Sequence, residues 1–142
     1  MPLQSGTRFT HVALKNWRNF SAASVDLQKR VFLIGPNALG KSNFLDVFRY
    51  LHDIVAVGGG FQEAVRKRQG VSSLRCYAAR RYPDISIAVS MGTDADPQFW
   101  RYELEFNQDN NQRAYLKGER VFRQQEQILS RPNTKIHRTR NV

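Results

Sequence analysis

A lysine, a serine and two glycines sit at a spacing that suits binding of a polyphosphate. The stretch is Gly35-Pro36-Asn37-Ala38-Leu39-Gly40-Lys41-Ser42, and it fits G-x-x-x-x-G-K-[ST], the Walker A pattern. A triphosphate needs several donors converging on its oxygens, and successive backbone N–H groups of a tight loop supply them. The N-terminus of a following helix adds unpaired N–H groups and a partial positive charge. Gly35 and Gly40 permit backbone conformations and close approach that a side chain blocks. Lys41 can reach the β- and γ-phosphates, and the Ser42 hydroxyl can ligate Mg²⁺. The bland alternative is a glycine turn whose lysine and serine are merely solvated. The context decides between the two.

That context requires a strand before the loop and a helix after it. Val31-Phe32-Leu33-Ile34 is a short apolar run of strand formers, which predicts a central strand buried on both faces. After the loop, Phe44, Val47, Phe48, Leu51 and Ile54 recur at three- and four-residue steps, which predicts an amphipathic helix. Upstream, Arg8 to Leu14 reads as a strand with Thr10, Val12 and Leu14 on one face. Ala23, Val25 and Leu27 alternate with polar neighbours and predict a second strand, antiparallel to the first. Asn16-Trp17-Arg18-Asn19 is the polar break between them. Three strands are therefore expected before the phosphate loop.

Composition bounds the rest. The chain has 142 residues, 41% of them hydrophobic, enough for a packed core and too apolar for full disorder. No apolar run approaches the roughly 20 residues that span a bilayer. The first residues lack a charged-then-apolar leader, and Cys76 stands alone, so no internal disulfide forms. These features point to the cytoplasm. The net charge of +10 and a pI of about 10.4 suggest a polyanionic partner, nucleic acid first. Solubility charge, or a match to an acidic segment elsewhere, explains the same number.

Beyond the helix, Val57-Gly58-Gly59-Gly60 is a break, and Phe61 to Arg68 predicts a short helix with Phe61, Ala64 and Val65 on one side. Arg66-Lys67-Arg68, Arg75, Arg80 and Arg81 form the strongest basic cluster, with Tyr77 and Tyr82 interleaved. Such a mixture can grip phosphates and stack on bases. A charged, solvated loop with inward tyrosines is the commoner outcome. Ile85, Ile87, Val89 and Met91 then alternate, as do Trp100, Tyr102, Leu104 and Phe106, predicting an antiparallel meander. Asn107 to Asn111 reads as a hairpin loop, and Ala114 to Leu116 and Val121-Phe122 as short strands. Asp94 and Asp96 read as turn residues rather than metal ligands. Residues 129–142 read as a basic, flexible tail after a lobe spanning 1–128. His11, His52 and His137 show no shared spacing and no carboxylate companion, so no catalytic role is assigned to any of them.

The order of these pieces carries a resemblance. A strand running into Leu14-Lys15-Asn16-Trp17-Arg18-Asn19-Phe20, a short amphipathic strand, and a Walker A loop ending Gly40-Lys41-Ser42-Asn43 resemble the start of an ABC-type P-loop ATPase head. The similar branch is that of SMC (structural maintenance of chromosomes), RecF-type and OLD-type (overcoming lysogenization defect) proteins. It includes AAA family ATPases of DNA repair and anti-phage type. The resemblance covers roughly residues 8–56 specifically. It implies an α/β P-loop NTPase fold, namely the N-terminal lobe of a head with a flanking antiparallel β-meander. It also implies ATP and Mg²⁺ as cofactors, head-to-head pairing, and work on DNA. The implied nucleotide contacts are Gly35, Pro36, Asn37, Ala38, Leu39, Gly40, Lys41, Ser42 and Asn43, with Ser42 also on the metal. Arg18 lies where the family's post-strand loop approaches the nucleotide. Many members carry Gly where this chain has Ala38, so a positive φ there predicts strain.

Hydrolysis also needs an acid for Mg²⁺ after an apolar strand and a group that orients water. No apolar run in this sequence ends in Asp-Glu, and no signature motif is visible. The expectation is an incomplete head whose catalytic residues lie in a missing C-terminal half or complementary subunit. The chain alone is then inactive, and marginal in solution, because run 31–34 lacks neighbours. The alternative is a non-enzymatic nucleic-acid-binding or regulatory module with a structural loop. A P-loop kinase or GTPase fits poorly with three strands before the loop.

Overall fold

The computed structural model describes residues 5–38, 40–79, 81 and 83–132. Its centre is a six-stranded antiparallel sheet with helices on one face. In chain order come β1 (Arg8–Trp17), β2 (Phe20–Asp26), α1 (Lys41–Val55), α2 (Phe61–Arg66), α3 (Val71–Leu74), β3 (Ile85–Gly92), β4 (Trp100–Gln108), β5 (Ala114–Arg123) and β6 (Glu126–Arg131). The sheet order is β2-β1-β3-β4-β5-β6.

Alternation in the sequence sets the faces. Val12, Leu14, Ile85, Ile87, Val89, Leu104 and Phe106 are buried and meet the helices. Val12 pairs with Val89 and Leu14 with Ile87, while Ile87 pairs with Leu104 and Ile85 with Phe106, so these residues share one surface. Helix α1 lays Phe44, Val47 and Tyr50 on it. Tyr50 joins Trp17 at 5.2 Å and Phe106 at 5.7 Å between ring centroids. Ala64 and Val65 of α2 and Val71 and Leu74 of α3 close the core. Strands β1 and β2 and helix α1 thus form as the periodicity predicts.

Two elements differ from expectation. The first is the run 31–34. It forms no strand among the described residues. Phe32 is 82% exposed and Ile34 93%, while Val31 and Leu33 are about half as exposed. Exposure alternates, so the side chains keep strand-like spacing without a sheet. Val31 and Leu33 line a cavity of about 310 Å³ shared with Phe44, Leu45 and Phe48. The cause lies in what surrounds the run. The chain is held as far as Lys29, by Leu27 N–H donating to the Thr10 carbonyl at 2.8 Å and by Arg8 and Lys29 on Asp94. Beyond that point no described strand offers it a ladder.

The second is the end of the sheet. Residues Leu129, Ser130 and Arg131 are not tail: they pair with Val121, Arg120 and Glu119 as part of β6. The stretches 114–116 and 121–122 are one strand, β5. The two-residue link, Gln124-Gln125, has φ values of 46° and 70°, a pair of positive angles that matches the right-handed strand twist. The tail from 133 onward lies outside the described residues.

Candidate phosphate-binding site

The loop is positioned by α1 and by the turn between β1 and β2. Gly40 precedes the helix with φ 94° and ψ 12°, a left-handed conformation that favours glycine. Helix geometry leaves the first N–H groups of α1 without intrahelical acceptors. Among the described residues no side chain caps them, and the first turn carries no acid. At 15 residues the helix is long enough to present a substantial dipole to an anion.

Lys41 does not extend into solvent. Its ammonium folds back and donates to the carbonyls of Gly35 and Pro36, the latter at 3.1 Å. The cation therefore lies against the loop that precedes it. Ser42 is exposed at the first turn, beside the half-buried Asn43. Ala38 takes φ 74°, the left-handed region that costs a non-glycine residue about 1–2 kcal/mol. The strain expected from an alanine at this position is present. Leu39 lies outside the described residues. An ammonium, a hydroxyl, uncapped helix N–H groups and a side-chain-free Gly40 are together a donor set suited to phosphate oxygens and a hard cation. Among the described residues no cluster of His, Cys, Asp or Glu could hold a metal by itself, so a cation here would lean on Ser42 and phosphate.

The end of β1, which runs through the expected break to Trp17, and the turn at Arg18-Asn19 brace this loop. Trp17 is fully buried, and its indole N–H donates to the Asn43 carbonyl at 2.8 Å. Asn43 in turn donates its amide to Asn19 Oδ1 at 3.0 Å. Arg18 pairs with Asp46 at 2.8 Å, one turn into α1, so in this structure its guanidinium is held on the helix. Its backbone N–H donates to the Leu74 carbonyl at 2.6 Å.

Asp46 also receives Arg68 through two bonds of 2.9 Å, and Arg68 reaches Asp53 at 2.8 Å. Burial works to raise the Asp46 carboxyl. Hydrogen bonds from Arg68 and then Arg18, with their charges, outweigh it and hold the group below its ordinary range. Burial pushes the Tyr50 phenol far upward. Sequence reasoning missed this network because its partners lie 22 and 15 residues apart, with no local pattern to mark them.

Four members of the basic cluster are paired within the chain, with Arg66 and Lys67 still exposed. Arg66 pairs with Glu63, Lys67 with Asp53, and Arg68 with Asp46 and Asp53, while Arg75 donates to Asn107. Tyr77 does not pack inward as the commoner outcome for such a loop predicts: it is 90% exposed. Arg80 and Tyr82 lie outside the described residues. Asp94 and Asp96 serve the turn, as expected, with Asp94 ion-paired to Arg8 and Lys29 and the Asp96 N–H on Thr93.

His11 does have a carboxylate companion, contrary to the sequence reading. Its Nδ1 lies 2.6 Å from Asp26, and the Ser24 hydroxyl lies 3.0 Å from its Nε2. Asp26 directly opposes His11 across the β1–β2 ladder and is almost wholly in water. His11 and Asp26 form a cross-strand surface pair with Ser24 beside it, unlike the buried aspartate that orients a catalytic imidazole.

Comparison with known proteins decides the family. Residues 30–141, most of the chain, match the model described as "AAA domain, putative AbiEii toxin, Type IV TA system". The chain belongs to this AAA domain family. The match opens just before the phosphate loop and includes α1 and strands β3 to β6. The chain is also similar to Endonuclease GajA of Bacillus cereus (strain VD045), 37% identical over 46 residues. That similarity covers 32% of this chain and 8% of GajA, so it spans a small part of the relative. Among the described residues no helix of this AAA domain is long and apolar enough to cross a membrane.

Proposed function

We propose that this chain is the ATP- and Mg²⁺-binding part of a DNA-linked ABC-type ATPase. It would belong to the SMC, RecF and OLD-like branch and act in the cytoplasm in repair or anti-phage defence. The observation that carries this reading is the Lys41 ammonium folded over the Gly35–Gly40 loop, at the uncapped start of a long helix. Gly35 to Gly40 offer main-chain donors to the phosphates. Lys41 exchanges its two carbonyl partners for phosphate oxygens, gaining charge-assisted bonds. Ser42 presents its hydroxyl to the cation, and Mg²⁺ when bound neutralises phosphate charge. Asn43 keeps the first turn in place through Trp17. Arg18 can leave Asp46 for the nucleotide, because Arg68 still pairs that carboxylate from two nitrogens.

The acid for Mg²⁺ and the group that orients water would come from a further segment or subunit. The exposed run 31–34 supports this: it has strand spacing, a bare face and no ladder. A strand laid beside it would supply the ladder and bring an acid to the loop. Head-to-head pairing and contact with DNA belong to the same reading. Exposed Tyr77, in the stretch that carries the basic cluster, supports DNA contact.

Titration with Mg-ATP tests the reading. Lys41→Ala should weaken binding by about 100-fold, the loss of a charge-assisted contact of about 3 kcal/mol. Equal affinity of the two proteins would end it.

A further inference from the structure

The Gly40 backbone has a neighbour that the phosphate-loop pattern does not name. A Cβ built on Gly40 would fall 2.6 Å from Asn19 Oδ1 and 2.8 Å from Asn19 Cγ. The carboxamide of Asn19 therefore occupies the space a Gly40 side chain would take. The same carboxamide accepts from Asn43 Nδ2 at 3.0 Å, so it touches both sides of the helix start: the residue before Lys41 and the residue after Ser42. The turn carrying it is itself fixed. Trp17, immediately before it, is buried and donates to the Asn43 carbonyl at 2.8 Å. Arg18, between them, takes φ 53° and is bonded through its backbone to Leu74 and through its side chain to Asp46. Cys76 N–H donates to the Asn16 carbonyl at 2.9 Å, and Trp17 bridges to Arg75. The turn is thus tied to the 74–76 segment on one side and to α1 on the other.

We infer that Asn19 is a positioning residue of the phosphate site. Its neutral carboxamide packs against Gly40 and holds Asn43, fixing the first turn of α1 and the Lys41–Ser42 pair between them. Two glycine constraints then act together at Gly40. Its φ of 94° favours glycine, and a side chain there would displace the Asn19 carboxamide. The carboxamide chemistry matters as well as its shape. A carboxylate in the same place keeps the acceptor for Asn43 yet puts a negative charge beside the loop that receives phosphates. This inference rests on the nucleotide-binding reading above.

The experiment compares the original chain with Asn19→Ala, Asn19→Asp and Lys41→Ala, by thermal melting and by titration with Mg-ATP, Mg-ADP and adenosine. Asn19→Ala should melt within a few degrees of the original and bind Mg-ATP about fivefold more weakly, the effect of one hydrogen bond. Asn19→Asp should melt alike and lose about tenfold or more for Mg-ATP through charge repulsion. Its loss should shrink for Mg-ADP, vanish for adenosine, and diminish as salt is raised. A merely structural asparagine predicts equal losses for all three ligands, or none. Unchanged Mg-ATP affinity in both Asn19 variants, with Lys41→Ala impaired, overturns the inference and leaves the nucleotide reading standing. If Lys41→Ala also binds unchanged, the nucleotide reading itself fails.

Discussion

Two runs of strand formers, one alternating and one continuously apolar, meet opposite fates in this chain. Ile85 to Met91 finds β1 on one side and β4 on the other, with register on both, and Ile85, Ile87 and Val89 are buried. Val31 to Ile34 finds a helix beneath Val31 and Leu33 and a cavity between, and among the described residues Phe32 and Ile34 stay exposed. A main difference lies in partners: β1 and β4 flank the first run. Hydrophobic strand formers specify an extended, alternating backbone. Whether that becomes a strand depends on a neighbour to share main-chain hydrogen bonds. The β3 to β6 region is also closed electrostatically: Tyr102 donates to Glu119 at 2.9 Å, and Arg131 pairs with Glu119 at 2.6 Å. The phosphate-loop region presents instead an uncapped helix start and a bare apolar edge.

The comparison breaks first if burial is not what separates the runs. Ile87→Ala should destabilise the chain by about 3 kcal/mol, from lost burial and a residual cavity, read by urea unfolding. A change under about 1 kcal/mol would show that the meander does not carry the core.

A middle effect sharpens the link between the regions. Arg68→Ala leaves Asp46 and Asp53 short of their shared partner and should cost about 3 kcal/mol near neutral pH, the lower end for breaking a buried pair. The sign with pH follows. The Asp46 carboxyl is depressed in the folded chain below its ordinary 3.8. Its contribution is therefore fully present above that value and lost as pH falls through the lowered one. The original chain should lose stability below about pH 4, and the difference from Arg68→Ala should narrow there. A difference that stays constant down to pH 2 would remove Asp46 from the account.

The smallest effect falls on the bare run. Phe32→Ser with Ile34→Thr should shift stability by no more than about 0.5 kcal/mol, as for other exposed sites, while reducing self-association in light scattering. A loss comparable to Ile87→Ala would mean that the run is covered in solution.

Legibility from sequence follows the same division. The β1–β2 hairpin, α1 and the β3–β4 alternation were readable because period and burial agree locally. The 35–42 stretch was readable as a Walker A match from its residue types, and α1 follows it as expected, but the strand expected before it does not form among the described residues. Strand status of 31–34 was not readable, because the letters are silent about neighbours. Strand β6 was missed because Gln124-Gln125 carries none of the Asn-Gly or Asp-Gly signal that usually marks a tight hairpin. The Asp46–Arg68 and Asn19–Gly40 contacts were hidden for another reason: each joins residues about twenty positions apart through side-chain geometry alone.

The central claim is that main-chain amides around Gly40 and the Lys41 ammonium receive a nucleotide's phosphates. Backbone hydrogen exchange, read with and without Mg-ATP, tests it most directly. The account predicts slowed exchange concentrated in residues 35–43, with a smaller effect in the bracing turn at 16–19 and none in β4 to β6. Unchanged exchange at 35–43 under saturating Mg-ATP, or protection confined to the meander, would contradict it.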